Sequence, residues 1–477
     1  MLLLTVVVIA IILAQVYAGR SQSVTEYSLV IDRQDIAPDG YLRSTITVNG
    51  QFPGPAIYAN KGDLVRIFVQ NNLEDGATIH WHGLHQIKTP WYDGAAGVTQ
   101  CPIPAGESQL YEFTVDQAGT TWYHAHYKLQ KVDGLWGPLI VRDLHDPHAA
   151  LYDDEIVMTL ADWYHDQARL LLSQFLSPAS EGNEPIPDTG LINGINTFNC
   201  SSITGHDDAC MGTGQRATFQ VEPGKKYRIR VINTATFANF RFSVDEHPLT
   251  VIEADMTDVQ PSVVTHFNIN VAQRYSVVVE FTQADAGKAF WIRAEMSSSC
   301  FAGTVPPSLD PLVLGIFQVN GGDSDQQLVP NTSAHAIDAS AAKGCIDLDP
   351  NKLAPVIPVS VNTTNVREIP IVVQFSDKDE ANDTEGVTYA FLNNVSWIMP
   401  QGRANINQVM FDPNATFPIS DNIYTLDQPD QWIRLVLINL DQGEHPFHLH
   451  GHTFQVVAWG TGTLPPISLK FHRIIFS

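Results

Sequence analysis

Basic residues are scarce in this chain. Its 477 residues carry 27 Lys and Arg against 51 Asp and Glu, a formal charge of −24 at pH 7. A surface that acidic repels polyanions, and with no basic patch to offset it nucleic acid is excluded as a partner. Cysteine is rare as well, with Cys101, Cys200, Cys210, Cys300 and Cys345 making five in all. Cys200 with Cys210 could close a short loop and Cys300 with Cys345 could bridge a linker, but an odd count leaves one thiol over and the connectivity open. Long helical periodicity is nearly missing, visible only over Asp166 to Phe175.

What the chain does have is a globular composition, 44% hydrophobic, at a length that suggests about three domains. Met1 to Ala18 is an uncharged apolar run closing on Val16-Tyr17-Ala18, a small-residue cleavage pattern. It reads as a secretory signal peptide over residues 1–18. An uncleaved anchor is the other reading, favoured by the missing basic start and opposed by a run short for a full membrane span. Sequons at Asn199, Asn331, Asn362, Asn382, Asn394 and Asn414 agree with export, so the protein is expected to be secreted, extracellular and glycosylated.

Strand signals fill the remainder, and they repeat. Val65-Arg66-Ile67-Phe68-Val69-Gln70-Asn71, Tyr227-Arg228-Ile229-Arg230-Val231-Ile232-Asn233 and Ile433-Arg434-Leu435-Val436-Leu437-Ile438-Asn439 share one pattern of apolar, Arg, apolar, any, apolar, any, Asn. Repeats at domain-sized spacing imply three copies of one β-sandwich. Nine residues after the Asn, copy one reads His80-Trp81-His82 and copy three reads His448-Leu449-His450, whereas copy two reads Phe242-Ser243-Val244. Copy one adds His124-Ala125-His126, aligned with Arg293-Ala294-Glu295 of copy two. With 17 His in the chain, chance would supply less than roughly one such spaced pair. A spacing of two puts both imidazoles on one face of a strand, a way to aim several nitrogens at one metal cluster. Copies one and three are therefore expected to hold metal, and copy two to act as a spacer.

These motifs resemble those of multicopper oxidases of the fungal laccase type. The resemblance runs from about Thr25 to Trp459 and rests on His80-Trp81-His82-Gly83 with Asp93-Gly94 and Thr99-Gln100-Cys101-Pro102-Ile103. It rests further on Gly119-Thr120-Thr121-Trp122-Tyr123-His124-Ala125-His126 with Asp133-Gly134-Leu135-Trp136-Gly137-Pro138, and on His445-Pro446-Phe447-His448-Leu449-His450-Gly451-His452. It implies an all-β fold of three consecutive cupredoxin-like Greek-key β-sandwich domains, the third incomplete. The expected divisions are 19–148, 149–321, a Ser/Ala/Asp-rich linker over 322–344, and 345–477. By the resemblance His80 and His448 hold a type 2 copper, His82, His124, His126 and His450 hold four of six positions of a binuclear type 3 pair, and His445 is one type 1 ligand. His85, His452 and His472 are expected beside the site or at the surface.

The family's fourth signature, a His-Cys-His segment, has no match in these 477 residues, so the type 1 thiolate is missing from them. This leaves open that the chain as given is an inactive product and that its third sandwich has an open edge. In the family the Thr-Gln-Cys-Pro cysteine pairs near the C-terminus, which makes Cys101 the odd thiol, while Val132 stands at a position usually held by Cys. The expected activity is one-electron oxidation of phenolic or similar donors by a monomer, with dioxygen reduced to water. Ferrous iron is the alternative donor. The loop Asn233-Thr234-Ala235-Thr236-Phe237 lacks the acid many laccases place there, while Glu184 and Asp441 match acids of the iron-oxidising branch. Both are also what ordinary loop acids look like in so acidic a protein.

Overall fold

The computed structural model describes residues 22–202, 208–321, 328–332, 347–360, 366–376, 387–412, 414–426, 431–441, 443, 445–458, 460 and 474–476. The leader at 1–18, Cys345, His206, His335, His472, most of the 322–344 linker and the sequons at Asn362 and Asn382 lie outside the described residues. Among the described residues no helix is long and apolar enough to cross a membrane.

The first unit is a sandwich of two four-stranded sheets. One orders β2 (Arg43–Val48), β1 (Val24–Ile36), β4 (Leu64–Asn71) and β6 (Ser108–Thr114), and the other β3 (Ile57–Asn60), β8 (Trp136–Arg142), β7 (Gly119–Ala125) and β5 (Ile79–Trp81). Strand β4 shows why the repeat pattern makes a strand. Its alternate residues Val65, Ile67, Val69 and Asn71 are buried, while Phe68 faces out. The inward row meets Trp81, Tyr123 and Leu139 of the opposite sheet in one core, each fully buried aliphatic contributing about 1.5–3 kcal/mol.

The second unit repeats the plan with larger sheets. One orders β10 (Thr189–Ile192), β9 (Asp154–Trp163), β12 (Lys225–Asn233), β17 (Arg274–Phe281), β14 (Leu249–Ala254) and β15 (Thr257–Val264). The other orders β11 (Thr218–Val221), β19 (Leu312–Val319), β18 (Ala289–Met296), β13 (Phe240–Val244) and β16 (Phe267–Ile269). The helical signal forms α1 (Ala168–Phe175), whose first N–H donates to Asp133 of the first unit at 2.9 Å. Cys200 and Cys210 are bonded, which settles that part of the open connectivity, and Cys300 is disulfide-bonded too.

In the third unit β21 (Tyr389–Leu392), β20 (Val366–Ser376) and β22 (Trp432–Asn439) form a three-stranded sheet, and β23 (Phe454–Val456) pairs with β24 (Ile474–Phe476). The parallel pairs β1 with β4, β9 with β12 and β20 with β22 are equivalent, and each sets a Glu beside the repeat Arg: Glu26 by Arg66, Glu155 by Arg228, Glu368 by Arg434. The outer neighbour differs. Strands β4 and β12 each have an antiparallel partner, β6 and β17, and among the described residues β22 has none. Its core positions stay open as a result, with Leu435 46% and Leu437 44% exposed where Ile229 and Val231 are fully buried.

The register corrects one alignment. His80 faces His124 across β5 and β7, and Phe242, its counterpart in copy two, faces Ala294 and not Arg293. The two strand alignments thus differ by one residue, which in a sheet moves a side chain to the opposite face.

Candidate metal centre

His80 lies on β5 and His124 on β7, with His82 and His126 just past those strand ends. Pairing β5 against β7 brings all four rings to one edge of the sheet, with His80 5.5 Å from His82, 5.3 Å from His124 and 5.6 Å from His126 between centroids. His448 and His450 arrive from the third unit. They sit in a loop and not on a strand, which corrects the strand expectation for this pair. His448 stacks on His82 at 3.9 Å, and His450 packs on His80 at 4.0 Å and on His126 at 4.9 Å. Six imidazoles separated by 368 residues of chain at the His80–His448 contact thus share one space.

The outward nitrogens are fixed by acceptors. His80 Nδ1 meets the Asp93 carbonyl oxygen at 2.7 Å, His124 Nδ1 meets the Ala125 carbonyl oxygen at 2.9 Å, and His450 Nδ1 meets Asp93 Oδ2 at 2.7 Å. Each contact places the proton on Nδ1 and turns the Nε2 lone pair inward. His80 Nε2 and His448 Nε2 accordingly approach to 3.4 Å, while His82 turns its Nδ1 to His124 Nε2 at 3.4 Å and keeps its Nε2 buried without a hydrogen-bond partner. The Asp93 carboxylate, 4% exposed, ties the third unit's His450 to the first unit's His80. Burial alone would raise its pKa, but the adjoining His80 and His450 hold it far below the usual carboxylate range. In the sequence Asp93 stands out only as the acid of the Asp93-Gly94 pair, and its partner His450 lies 357 residues away.

Burial first, then the neighbouring imidazoles, hold His82 and His124 well below the ordinary histidine pKa, with Arg274 adding to His82 and Lys131 to His124. Both are therefore neutral at physiological pH, the state that donates to a metal. Trp122 packs 4.2 Å from His124 and carries the Lys131 ammonium 5.3 Å from its ring, while Lys131 donates to Ala235 O of the second unit at 2.7 Å. Burial pushes that ammonium down to about 8.

The residues fit copper. Groups of potential ligand atoms within 4.8 Å of one another are His80 with His82 and His448, and His80 with Asp93 and His450. Buried imidazoles whose ring nitrogens face one another, with one of those nitrogens orphaned, suit a borderline cation such as copper better than an oxygen-seeking one. His445 stands apart from the cluster. Its Nε2 meets Asp441 Oδ2 at 2.9 Å, and its ring stacks on Phe375 at 4.7 Å. Glu184 is half-buried in the loop that follows α1, near the Tyr164 phenol, and belongs to neither ligand group. His85 bridges two units instead, from Asp116 Oδ2 at 3.1 Å to Thr453 Oγ1 at 2.8 Å. Cys101 is an exposed free thiol on a cavity of about 610 Å³ lined by Arg403, Asn407 and Phe411. Those residues surround α2 (Asn405–Phe411), whose first N–H groups are capped by Gly97 O and Val98 O of the first unit.

Models of the multicopper oxidase family match residues 30–146, 154–322 and 392–472. Dihydrogeodin oxidase of Aspergillus terreus is 35% identical over 471 residues, spanning 92% of this chain and 74% of that protein. The chain belongs to the multicopper oxidase family. Among solved structures, this multicopper oxidase is similar to the laccase of Botrytis aclada, with 33% identity, a TM-score of 0.79, and coverage of 92% of this chain and 76% of that one. It is similar also to Fet3p, a multicopper oxidase that functions in iron import, at 30% identity, a TM-score of 0.76, and coverage of 92% and 77%. Membership implies copper cofactors, dioxygen and a small reducing substrate.

Proposed function

We propose that this multicopper oxidase is of the laccase type, taking single electrons from phenolic or similar small donors. The convergence of six imidazoles from the first and third units carries the reading, because only a shared metal cluster gives these distant pairs a common purpose. In it His80 and His448 hold the type 2 copper, and His82, His124, His126 and His450 hold four type 3 positions. His445 is a type 1 ligand oriented by Asp441. Bound copper supplies the one-electron steps that end in reduction of dioxygen to water. The chain's own part is to keep His82 and His124 neutral by burial, and to aim the rings through the Ala125 carbonyl for His124 and through Asp93 for His80 and His450. The Cys200–Cys210 disulfide supports an oxidising, secretory location.

Ferroxidase chemistry is the second reading. It is favoured by the Asp441–His445 contact, a carboxylate placed beside the candidate electron-entry histidine, and by the similarity to Fet3p. The 477 residues hold no His-Cys-His segment, so by themselves they are proposed to bind no blue type 1 copper and to turn over neither donor.

The test is oxygen uptake with a phenolic donor and with ferrous ion in parallel, on this chain and on the same chain extended by a His-Cys-His segment. Phenol oxidation by the extended chain alone is expected, retained in the Glu184→Ala, Asp441→Ala double variant. Iron oxidation lost selectively in that variant establishes the second reading, and copper-loaded extended protein that oxidises neither donor refutes both.

A further inference from the structure

Both histidine motifs of the first unit contain a glycine, Gly83 and Gly119, that metal binding does not explain. Strand β7 loses its neighbour where β5 ends. Trp122 O still accepts from His82 N, but Thr120, two residues earlier and facing the same edge, has no strand beside it. The second unit takes over there. Thr120 N donates to Glu253 Oε1 at 2.5 Å and Thr120 Oγ1 donates to Glu253 Oε2 at 2.8 Å. Arg230 Nη1 donates to Thr120 Oγ1 at 2.8 Å and Arg274 Nε donates to Thr120 O at 3.2 Å. Every polar group of Thr120 is thus held by the unit that supplies no histidine pair. Glu253 is fully buried and is braced by Arg228 at 2.7 Å and by Ser276.

The glycines admit these side chains. A Cβ at Gly119 would lie 2.5 Å from Glu253 Oε1, and a Cβ at Gly83 would lie 2.7 Å from Arg274 Nη2. Gly119 also has φ +139°, a conformation few side chains tolerate. Thr120 and His124 lie on one strand with three residues between them, so a shift at the clamp is transmitted to the imidazole. We propose that Glu253 is a positioning residue for the copper centre, fixing through Thr120 where β7 holds His124 and His126. The proposal rests on the assignment of those histidines to copper.

Hydrogen exchange on the metal-free chain tests the clamp without copper. In Glu253→Ala, amide protection over residues 120–124 is expected to fall by roughly tenfold or more, the effect of losing charge-assisted buried bonds. Val277→Ala, in the core of the second unit, lowers stability without touching Thr120 and is expected to leave that segment unchanged relative to the rest of the first unit. On copper addition, Glu253→Ala is expected to shift the copper EPR spectrum, with partial rescue in Glu253→Gln and none of the shift in Val277→Ala. Should Glu253→Ala fail to fold, Thr120→Val removes only the hydroxyl and is expected to move the same signals in the same direction. Equal exchange and equal spectra in the clamp and core variants overturn the proposal. Normal exchange changes with no copper uptake by the unmodified chain would instead overturn the copper assignment.

Discussion

Asp93 offers the sharpest perturbation, because its carboxylate is the acceptor for His450 but only the more distant of two contacts for His80, 3.3 Å away. His80 bonds chiefly to the backbone carbonyl at 2.7 Å, which any residue supplies, whereas His450 bonds to Oδ2 at 2.7 Å. Asp93→Ala therefore releases His450 and spares most of the hold on His80. One lost hydrogen bond to a buried charged group costs about 1.5–3 kcal/mol. Removing an acceptor behind a metal-bound imidazole lowers metal affinity by roughly 10–100-fold. Asp93→Asn keeps an acceptor oxygen and is expected to recover most of the loss. The assay is copper titration of the metal-free chain against a competing chelator, with exchange over residues 445–453 as a second readout. An affinity for Asp93→Ala within about threefold of the unmodified chain, a difference of about 0.7 kcal/mol or less, refutes the bridging role.

The depressed pKa values of His82 and His124 make the metal-free fold acid-sensitive. The unfolded chain takes up protons as pH falls through about 6.5 and the fold does not, so stability declines below that pH by up to about 1.4 kcal/mol per unit per histidine. Thermal melts should show this decline and lose part of it in His82→Asn, His124→Asn, the remainder coming from His126 and His450, which burial also depresses. Asp258 has the opposite sign, since burial and then Glu253 raise it to about 6 and leave its anion strained above that pH. Asp258→Asn should stabilise by about 1 kcal/mol at neutral pH, discounted for partial exposure, and by nothing below its unfolded pKa of about 4. Equivalent repeat positions should differ sharply. Ile229→Ala should cost about 2–5 kcal/mol and Leu435→Ala less than about 1 kcal/mol, because the first is sealed and the second 46% exposed. Equal losses in denaturant titrations would mean that the β22 face is covered in solution.

The repeat was legible because its apolar and Arg positions report one structural place, the strand beside β1, β9 and β20. The Glu that opens each of those neighbours, Glu26, Glu155 and Glu368, carried the same information and went unread because it becomes meaningful only once the parallel register is known. The histidine pairs were legible from spacing, and their motif context pointed to one centre. The loop placement of His448 and His450 was not, since a spacing of two reads as a strand whether or not a partner strand pairs with it. Asp93 and Glu253 were invisible as participants for a similar reason. Their partners lie 357 and 133 residues away, at His450 and Thr120, and no local pattern encodes such distances. Helix α2 escaped because its seven residues are too short for a periodic signal and it is capped by carbonyls from another unit.

Copper binding by the 477-residue chain and by His80→Ala, His448→Ala tests most directly whether the first and third units build one centre. The unmodified chain is expected to take up tightly held copper with a type 2 EPR signal and without the blue absorption of a thiolate-bound copper, and the double variant to lose that signal. No tight copper binding, or binding untouched by the double substitution, would contradict it.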